Sequence, residues 1–324
     1  MDKAAIGRLA PSPTGALHLG NARSFLLAWL SMRQQGGKLL MRIEDIDSPR
    51  IKSWSGQATM EDLRWLGIDW DHGPDLGGPD APYIQSERLA VYRQVLDELI
   101  EGERVYPCDC SRKEVAASAS APHEALEGPI YASTCSHRRA ADFQNLSSDF
   151  AWRFRASSET RTWVDQIAGL QSANVAQRLG DFIVAKADKT PAYQLAVVVD
   201  DFLMQVTEVV RGNDLIPSTF RQLDLLAALD WHVPSYVHLP LMVGKDGRRL
   251  AKRHGDTRLS WFRTAGYEPE VLVGYLAWTA GLVDEPNPIA ACELIGRWEP
   301  QRIGTRPTEV DLSQLIPLLD RARE

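Results

Sequence analysis

Residues 8–21, Arg-Leu-Ala-Pro-Ser-Pro-Thr-Gly-Ala-Leu-His-Leu-Gly-Asn, confine this chain to a small set of folds. A short apolar run over 4–10 enters a turn rich in proline and glycine, passes His18-x-Gly20, and starts an apolar-periodic segment. Ala22, Phe25, Leu26, Trp29 and Leu30 recur at helical spacing until Gly36-Gly37, which predicts an amphipathic helix over 20–35. A second strand is predicted over 38–43, delivering Glu44, Asp45 and Asp47 at its carboxyl end. Strand, glycine-rich turn, helix and strand make one βαβ unit of a parallel sheet. Ligands of such sheets gather beyond the carboxyl ends of the strands, where the His18 turn and Glu44 both fall. The helix start offers unpaired N–H groups and a partial positive charge to a phosphate. Gly20 lets a ligand approach the backbone, and His18 can donate a hydrogen bond to developing phosphate charge.

The same reading places helices over 56–66 and over 86–100, the latter capped by Ser86 and closed by Gly102. A strand is predicted over 150–155. Segment 192–203 is ambiguous, because Val197-Val198-Val199 favours a strand while Pro191 favours a helix start. A strand over 207–211 and helices over 261–265 and 268–280 follow, and the tail from Val283 is proline-rich and weakly patterned.

No run of about 18 apolar residues is present, so no membrane span is expected. Without a basic stretch leading into an apolar core, the N-terminus does not read as a secretion signal, and a cytoplasmic protein is expected. A net charge of −7 argues against an extended nucleic-acid surface. Lys245, Arg248, Arg249, Lys252 and Arg253 nevertheless form a local basic patch, either a solvated loop or a contact for an anion. Four cysteines are too few for a disulfide framework in 324 residues. Cys108-x-Cys110 with Cys135 supplies three soft ligands inside an Ala/Ser/Pro-rich insertion, where a closed zinc site needs four. By ordinary ligand preference His123 or His137 could complete the set; otherwise the three remain reduced thiols. Cys292 reads as a small buried apolar residue.

Four stretches, in order, resemble the class I aminoacyl-tRNA synthetases of the glutamate/glutamine branch. Residues 8–21 resemble the first signature, Pro-Ser-Pro-Thr-Gly-x-x-His-x-Gly; residues 41–50, Met-Arg-Ile-Glu-Asp-Ile-Asp-Ser-Pro-Arg, resemble the strand carrying the substrate-facing Glu. Residues 192–215 resemble the amino-acid pocket, and Arg249-Leu250-Ala251-Lys252-Arg253 stands where the second ATP signature, Lys-x-Ser-Lys, would be. The resemblance covers roughly residues 5–280, and several separated motifs carry it.

This resemblance implies an α/β fold: a Rossmann-type parallel sheet with an inserted zinc-containing module and a small, mainly helical C-terminal part. The expected divisions are 1–102 and 139–244 for the catalytic halves, 103–138 for the insert, and 245–324 for the remainder. It implies that Arg8, Ala10, Ser12, Glu44, Tyr193 and Arg211 bind L-glutamate. The two guanidiniums would grip its side-chain carboxylate, and Glu44 would lie near the α-amino group. Pro11, His18, Gly20, Asn21, Arg249, Leu250, Ala251, Lys252 and Arg253 would bind ATP with Mg2+, His18 and Lys252 acting in catalysis. Asn21 stands in place of a second His, and Arg249 and Ala251 replace Lys and Ser. One structural Zn2+ would be held by Cys108, Cys110, Cys135 and, by resemblance, Tyr131.

Too few residues follow Gly281 for the helical anticodon-binding domains of ordinary glutamyl-tRNA synthetases. Residues 207–215, Thr-Glu-Val-Val-Arg-Gly-Asn-Asp-Leu, also resemble a truncated branch, the glutamyl-Q tRNA(Asp) synthetases. The implied reaction is activation of glutamate without tRNA and transfer to queuosine at the wobble position of tRNA(Asp), by a monomer. The alternatives are a shortened enzyme charging tRNA(Glu), a small-molecule nucleotidylyltransferase, and a decayed synthetase that only binds RNA.

Overall fold

The computed structural model describes residues 4–46, 50–118, 130–146, 149–248, 250, 256–310 and 312–321. The chain opens as expected: β1 (Ile6–Leu9), α1 (Leu19–Gln34) and β2 (Lys38–Met41), with β1 and β2 parallel in the register Ile6↔Lys38 to Leu9↔Met41. Helix α1 departs from the amphipathic expectation. Leu19, Ala22, Arg23 and every residue from Leu26 to Met32 are buried, because α1 is sandwiched between β1 and β8 on one side and α9 on the other. Its buried Arg23 donates to Thr308 Oγ1 at 2.8 Å and to the carbonyls of Pro240 and Thr279.

Next come α2 (Ser55–Trp65), α3 (Leu89–Glu101), β3 (Val105–Cys108) and α4 (Arg112–Ser118). Ser86 does not cap α3. It lies in a preceding 3-10 turn, where its hydroxyl donates to Asp45 at 2.6 Å; Arg88 occupies the cap position. Gly102 does end α3, yet with an ordinary negative φ of −74°; the positive φ falls on Glu103. Strands β4 (Ala151–Phe154), β5 (Thr160–Asp165), β6 (Gly169–Asn174) and β7 (Phe182–Lys186) follow, with the short α5 (Val175–Arg178) before β7. β3, β4 and β7 form an antiparallel sheet, and β5 and β6 an antiparallel hairpin.

The ambiguous segment is a helix, α6 (Tyr193–Leu203). Its three valines are buried against α3, α7 and β7, so tertiary packing overrides their strand preference. Then β8 (Glu208–Gly212), α7 (Ile216–Ala228) and β9 (Ser235–Leu239) complete a second parallel pair. The two pairs adjoin: Thr207 N–H donates to Ile6 O at 2.8 Å, and the Arg8 side chain reaches Val210 O at 3.3 Å. This is the Rossmann-type arrangement, in which the carboxyl ends of β1, β2 and β8 share one edge.

The remainder contains β10 (Met242–Val243), α8 (Leu259–Thr264), α9 (Pro269–Thr279), β11 (Thr308–Glu309) and α10 (Leu312–Arg321). The tail is therefore more ordered than its prolines suggest: β11 pairs parallel with β10, and α10 continues through Pro317. Cys292 is exposed rather than buried. One apolar core surrounds α1, α2, α8 and α9; a second lies among α3, α6, α7 and the antiparallel sheet. No helix among the described residues is long and apolar enough to cross a membrane.

Candidate active site

Two adjoining cavities open at the carboxyl edge of the parallel strands. The smaller, about 270 Å³, is lined by Arg8 on β1, Ala10 and Ser12 in the following turn, Glu44 beyond β2, Tyr193 at the start of α6 and Arg211 on β8. The larger, about 850 Å³, lies over the start of α1 between Pro11, His18 and Asn21 on one wall and Leu250, Asp256, Thr257 and Arg258 on another. Ala10, Ser12, His18, Asn21 and Phe25 line both, so occupants of the two cavities would meet.

His18 is the N-cap of α1, and its Nδ1 accepts the N–H of Asn21 at 3.4 Å. With Nδ1 serving as acceptor, the neutral ring carries its proton on Nε2. The anion cradle at this helix start is narrower than the sequence suggests. Leu19 N–H donates to Thr257 O at 2.9 Å and Asn21 N–H is taken by His18, whereas Gly20 N–H has no hydrogen-bond partner among the described residues. Gly20 also makes room for the imidazole: a Cβ there would stand 3.2 Å from His18 Cε1 and Nδ1. The pairing of Leu17–Leu19 with 257–259 brings the residues flanking the second signature to the large cavity. Arg249, Ala251, Lys252 and Arg253 themselves, with Asp47 and His123, lie outside the described residues.

In the small cavity the charges are buried and unevenly paired. Arg42, fully buried, contacts Glu44 at 2.9 Å and Asp201 at 2.8 Å. Burial pushes Glu44 above the usual carboxylate range, with Arg42 pulling against it. Arg8 stands 3.6 Å from Asp201, and burial lowers its proton affinity. Arg211 is different. Its Nε donates to His238 at 3.1 Å, and its Nη2 donates to Thr219 at 2.6 Å and Gln222 at 2.9 Å. Its Nη1 is buried with no hydrogen-bond partner among the described residues, none of which places a carboxylate within 4 Å of this guanidinium. A buried cation lacking its anion suits a ligand that brings a carboxylate.

The cysteines converge as well. Cys110 Sγ lies 3.5 Å from Cys135 Sγ, too far for a disulfide, and Tyr131 Oη lies 3.4 Å from Cys108 Sγ and 3.8 Å from Cys110 Sγ. A tetrahedron with Zn–S bonds near 2.3 Å has edges of about 3.8 Å, so these donors fit such an ion. Arg153 Nε donates to Cys108 Sγ at 3.1 Å, and its guanidinium lies 3.8 Å from the Tyr131 ring centre. Burial raises the Cys108 thiol, but hydrogen bonds with Tyr131 and Arg153 prevail and hold it below its ordinary value. His137 is not part of this group; it is exposed and bonded to Thr134 O.

Residues 6–295 match the family described as tRNA synthetases class I (E and Q), catalytic domain. The chain belongs to that family. A glutamyl-Q tRNA(Asp) synthetase from Symbiobacterium thermophilum is 48% identical over 318 residues, spanning 96% of this chain and 98% of the relative. A glutamate–tRNA ligase from Desulforamulus reducens is 40% identical, spanning 95% of this chain but 65% of that protein. Among solved structures, a glutamate tRNA ligase from Elizabethkingia meningosepticum, crystallised with its amino acid, superposes with a TM-score of 0.83 at 27% identity, covering 98% of this chain and 69% of that one.

Sequence reasoning did not single out Arg42, Asp200 and Asp201, which hold the charged floor of this synthetase's small cavity, nor Thr219, Gln222 and His238, which hold Arg211. Their side chains come from the segment just after β2 and from α6, α7 and β9, far apart in the chain. The adjacent acids Asp200-Asp201, within an apolar helix, were the one available signal.

Proposed function

We propose that this synthetase activates L-glutamate with ATP, without tRNA, and transfers it to queuosine at the wobble position of tRNA(Asp). The observation that carries the amino-acid half is Arg211, which lines a small cavity and whose buried Nη1 has no hydrogen-bond partner among the described residues. A γ-carboxylate supplies the missing charge, whereas glutamine's amide leaves the cation unpaired. Glu44 faces the α-amino group, and Arg8, Ala10, Ser12 and Tyr193 complete the glutamate site. The α-carboxylate then points to the large cavity, where its oxygen attacks the α-phosphorus of ATP in line as the bond to pyrophosphate breaks.

Pro11, His18, Gly20, Asn21 and Leu250 hold the nucleotide in this reading together with Arg249, Ala251 and Arg253, with His18 Nε2–H and Lys252 stabilising phosphate charge. Mg2+ accompanies the triphosphate. One Zn2+ on Cys108, Cys110, Tyr131 and Cys135 would cross-link the insert. The chain is divided accordingly into catalytic halves 1–102 and 139–244, the zinc insert 103–138 and a C-terminal part 245–324. Queuosine is favoured as acceptor over the end of tRNA(Glu) by the relative of that name, similar over nearly its whole length. Labelled glutamate offered with tRNA(Asp) tests this directly. Product should form only when the tRNA carries queuosine; equal labelling of queuosine-free tRNA(Asp), or labelling of tRNA(Glu) alone, would refute it.

A further inference from the structure

Two buried groups behind the small cavity govern how Arg211 is held. His238 lies on β9 directly across from Arg211 on β8 in the parallel register, and Asp165 ends β5 alongside. Both are almost fully buried. Asp165 Oδ2 lies 2.6 Å from His238 Nδ1 and accepts the His238 backbone N–H at 3.1 Å, while Oδ1 accepts the N–H groups of Ile167 and Ala168 at 3.0 and 2.8 Å. Every partner of this carboxylate is a donor, so His238 must present a proton at Nδ1. That leaves the lone pair on Nε2, where Arg211 Nε–H points at it from 3.1 Å and the Thr219 hydroxyl lies 3.0 Å away, able to donate to the same nitrogen. The other tautomer, or an imidazolium, would set an N–H against the Arg211 N–H. Burial, reinforced by nearby Arg211, pushes His238 down to about 4, so the ring is neutral at neutral pH. With Nε held by His238 and Nη2 by Thr219 and Gln222, the guanidinium plane is fixed, and Nη1 is left without a hydrogen-bond partner among the described residues.

We propose that Asp165 and His238 form a positioning pair that fixes the tautomer and lone pair holding Arg211, and thereby sets affinity for an acidic amino acid and its discrimination from the neutral amide. The proposal rests on the small cavity being the glutamate site. Neither residue touches substrate in this scheme. Their role is to keep a mobile, rotamer-rich side chain in one orientation, as a carboxylate orients an imidazole in other enzymes.

The test uses three variants of the whole protein, each checked for an unchanged melting temperature. In glutamate-dependent exchange of pyrophosphate into ATP, His238→Phe should raise the KM for glutamate by about tenfold or more, the effect of one orienting hydrogen bond, leaving kcat and the KM for ATP within about twofold. The same variant should use glutamine relatively better. His238→Gln, whose carbonyl can accept from Arg211 Nε, should restore most of the affinity. Asp165→Asn should behave like His238→Phe, because an amide that accepts from Ile167 and Ala168 presents its NH2 to His238 and favours the wrong tautomer. A merely structural role would lower melting temperature or kcat without this split or rescue.

Long-range nitrogen NMR of unmodified protein gives a readout independent of turnover: His238 should be protonated at Nδ1 and bare at Nε2 at neutral pH. An Nε2–H tautomer, or wild-type glutamate affinity in a folded His238→Phe protein, overturns the proposal alone. Absence of glutamate-dependent exchange in the wild type overturns the reading of the cavity and this proposal together.

Discussion

Replacing Arg211 by methionine isolates the charge on which the glutamate reading depends. Methionine has similar length and keeps an apolar stem at this position of β8, but it removes the guanidinium, which lies buried without a carboxylate partner among the described residues. In the substrate complex the γ-carboxylate would then be buried without its cation, a loss of about 3–4 kcal/mol for a broken buried pair. At 1.4 kcal/mol per decade this is roughly a 100- to 1,000-fold fall in kcat/KM for glutamate. The fold should tolerate the change. Thr219 still donates to Leu215 O and Gln222 to Gln194, and removing one of three neighbouring arginines relieves repulsion on Arg8. The melting temperature should therefore move by no more than about 5 °C. Glutamine, which cannot use the charge, should be affected little, so the preference for glutamate collapses. The assay is pyrophosphate exchange at varied amino acid with saturating ATP. A glutamate efficiency within about threefold of wild type in a folded variant would show that the Arg211 charge does not bind the substrate.

Three further outcomes follow from the structure. Cys135→Ser should reduce bound zinc from one per chain to a trace on elemental analysis and lower thermal stability, whereas metal-free wild type of equal stability would remove the structural role of the cysteine group. Asp62 is 1% exposed, and burial, opposed by Arg263, raises its pKa to about 6. The folded state therefore holds this proton more tightly than the unfolded chain, so the stability that Asp62 contributes below about pH 4 is lost as pH rises toward 6. Asp62→Asn should gain up to about 3 kcal/mol relative to wild type between pH 4 and 7 in urea unfolding, and a pH-independent difference would contradict this. Gly274→Ala would place a Cβ 1.9 Å from the Asn287 carbonyl oxygen, which lies in backbone and cannot rotate away. A loss of about 3 kcal/mol is expected, and a variant as stable as wild type would show that the segment after α9 is not held against it.

The first βαβ unit was legible because its signals are local: an apolar run, a Pro/Gly turn, helical periodicity and a terminal Gly-Gly act over a few residues each. The same holds for the residues now found around the small cavity, since Arg8, Glu44 and Arg211 stand at or beyond strand ends, where a parallel sheet collects ligands. Legibility ended where long-range packing decided. The valines of α6 favour a strand locally and a helix only because they fill the core between α3 and α7. Helix α10 was not delimited within the mainly helical C-terminal part, because the tail is proline-rich and weakly patterned, although Leu315 and Leu319 join the core around α1 and α9. Ser86 had the chemistry of a cap but found Asp45 instead. The pairing of Asp165 with His238, 73 positions apart, leaves no mark on the sequence, because the packing of β5 against β9 brings them together.

Amino-acid activation in the small cavity is measured directly by pyrophosphate exchange with no RNA present. L-glutamate with ATP should drive exchange, while glutamine and aspartate should not: one lacks the charge Arg211 awaits, and the other is a methylene too short to reach it. No exchange without tRNA, or exchange driven equally by glutamine, would show that the small cavity does not select and activate glutamate.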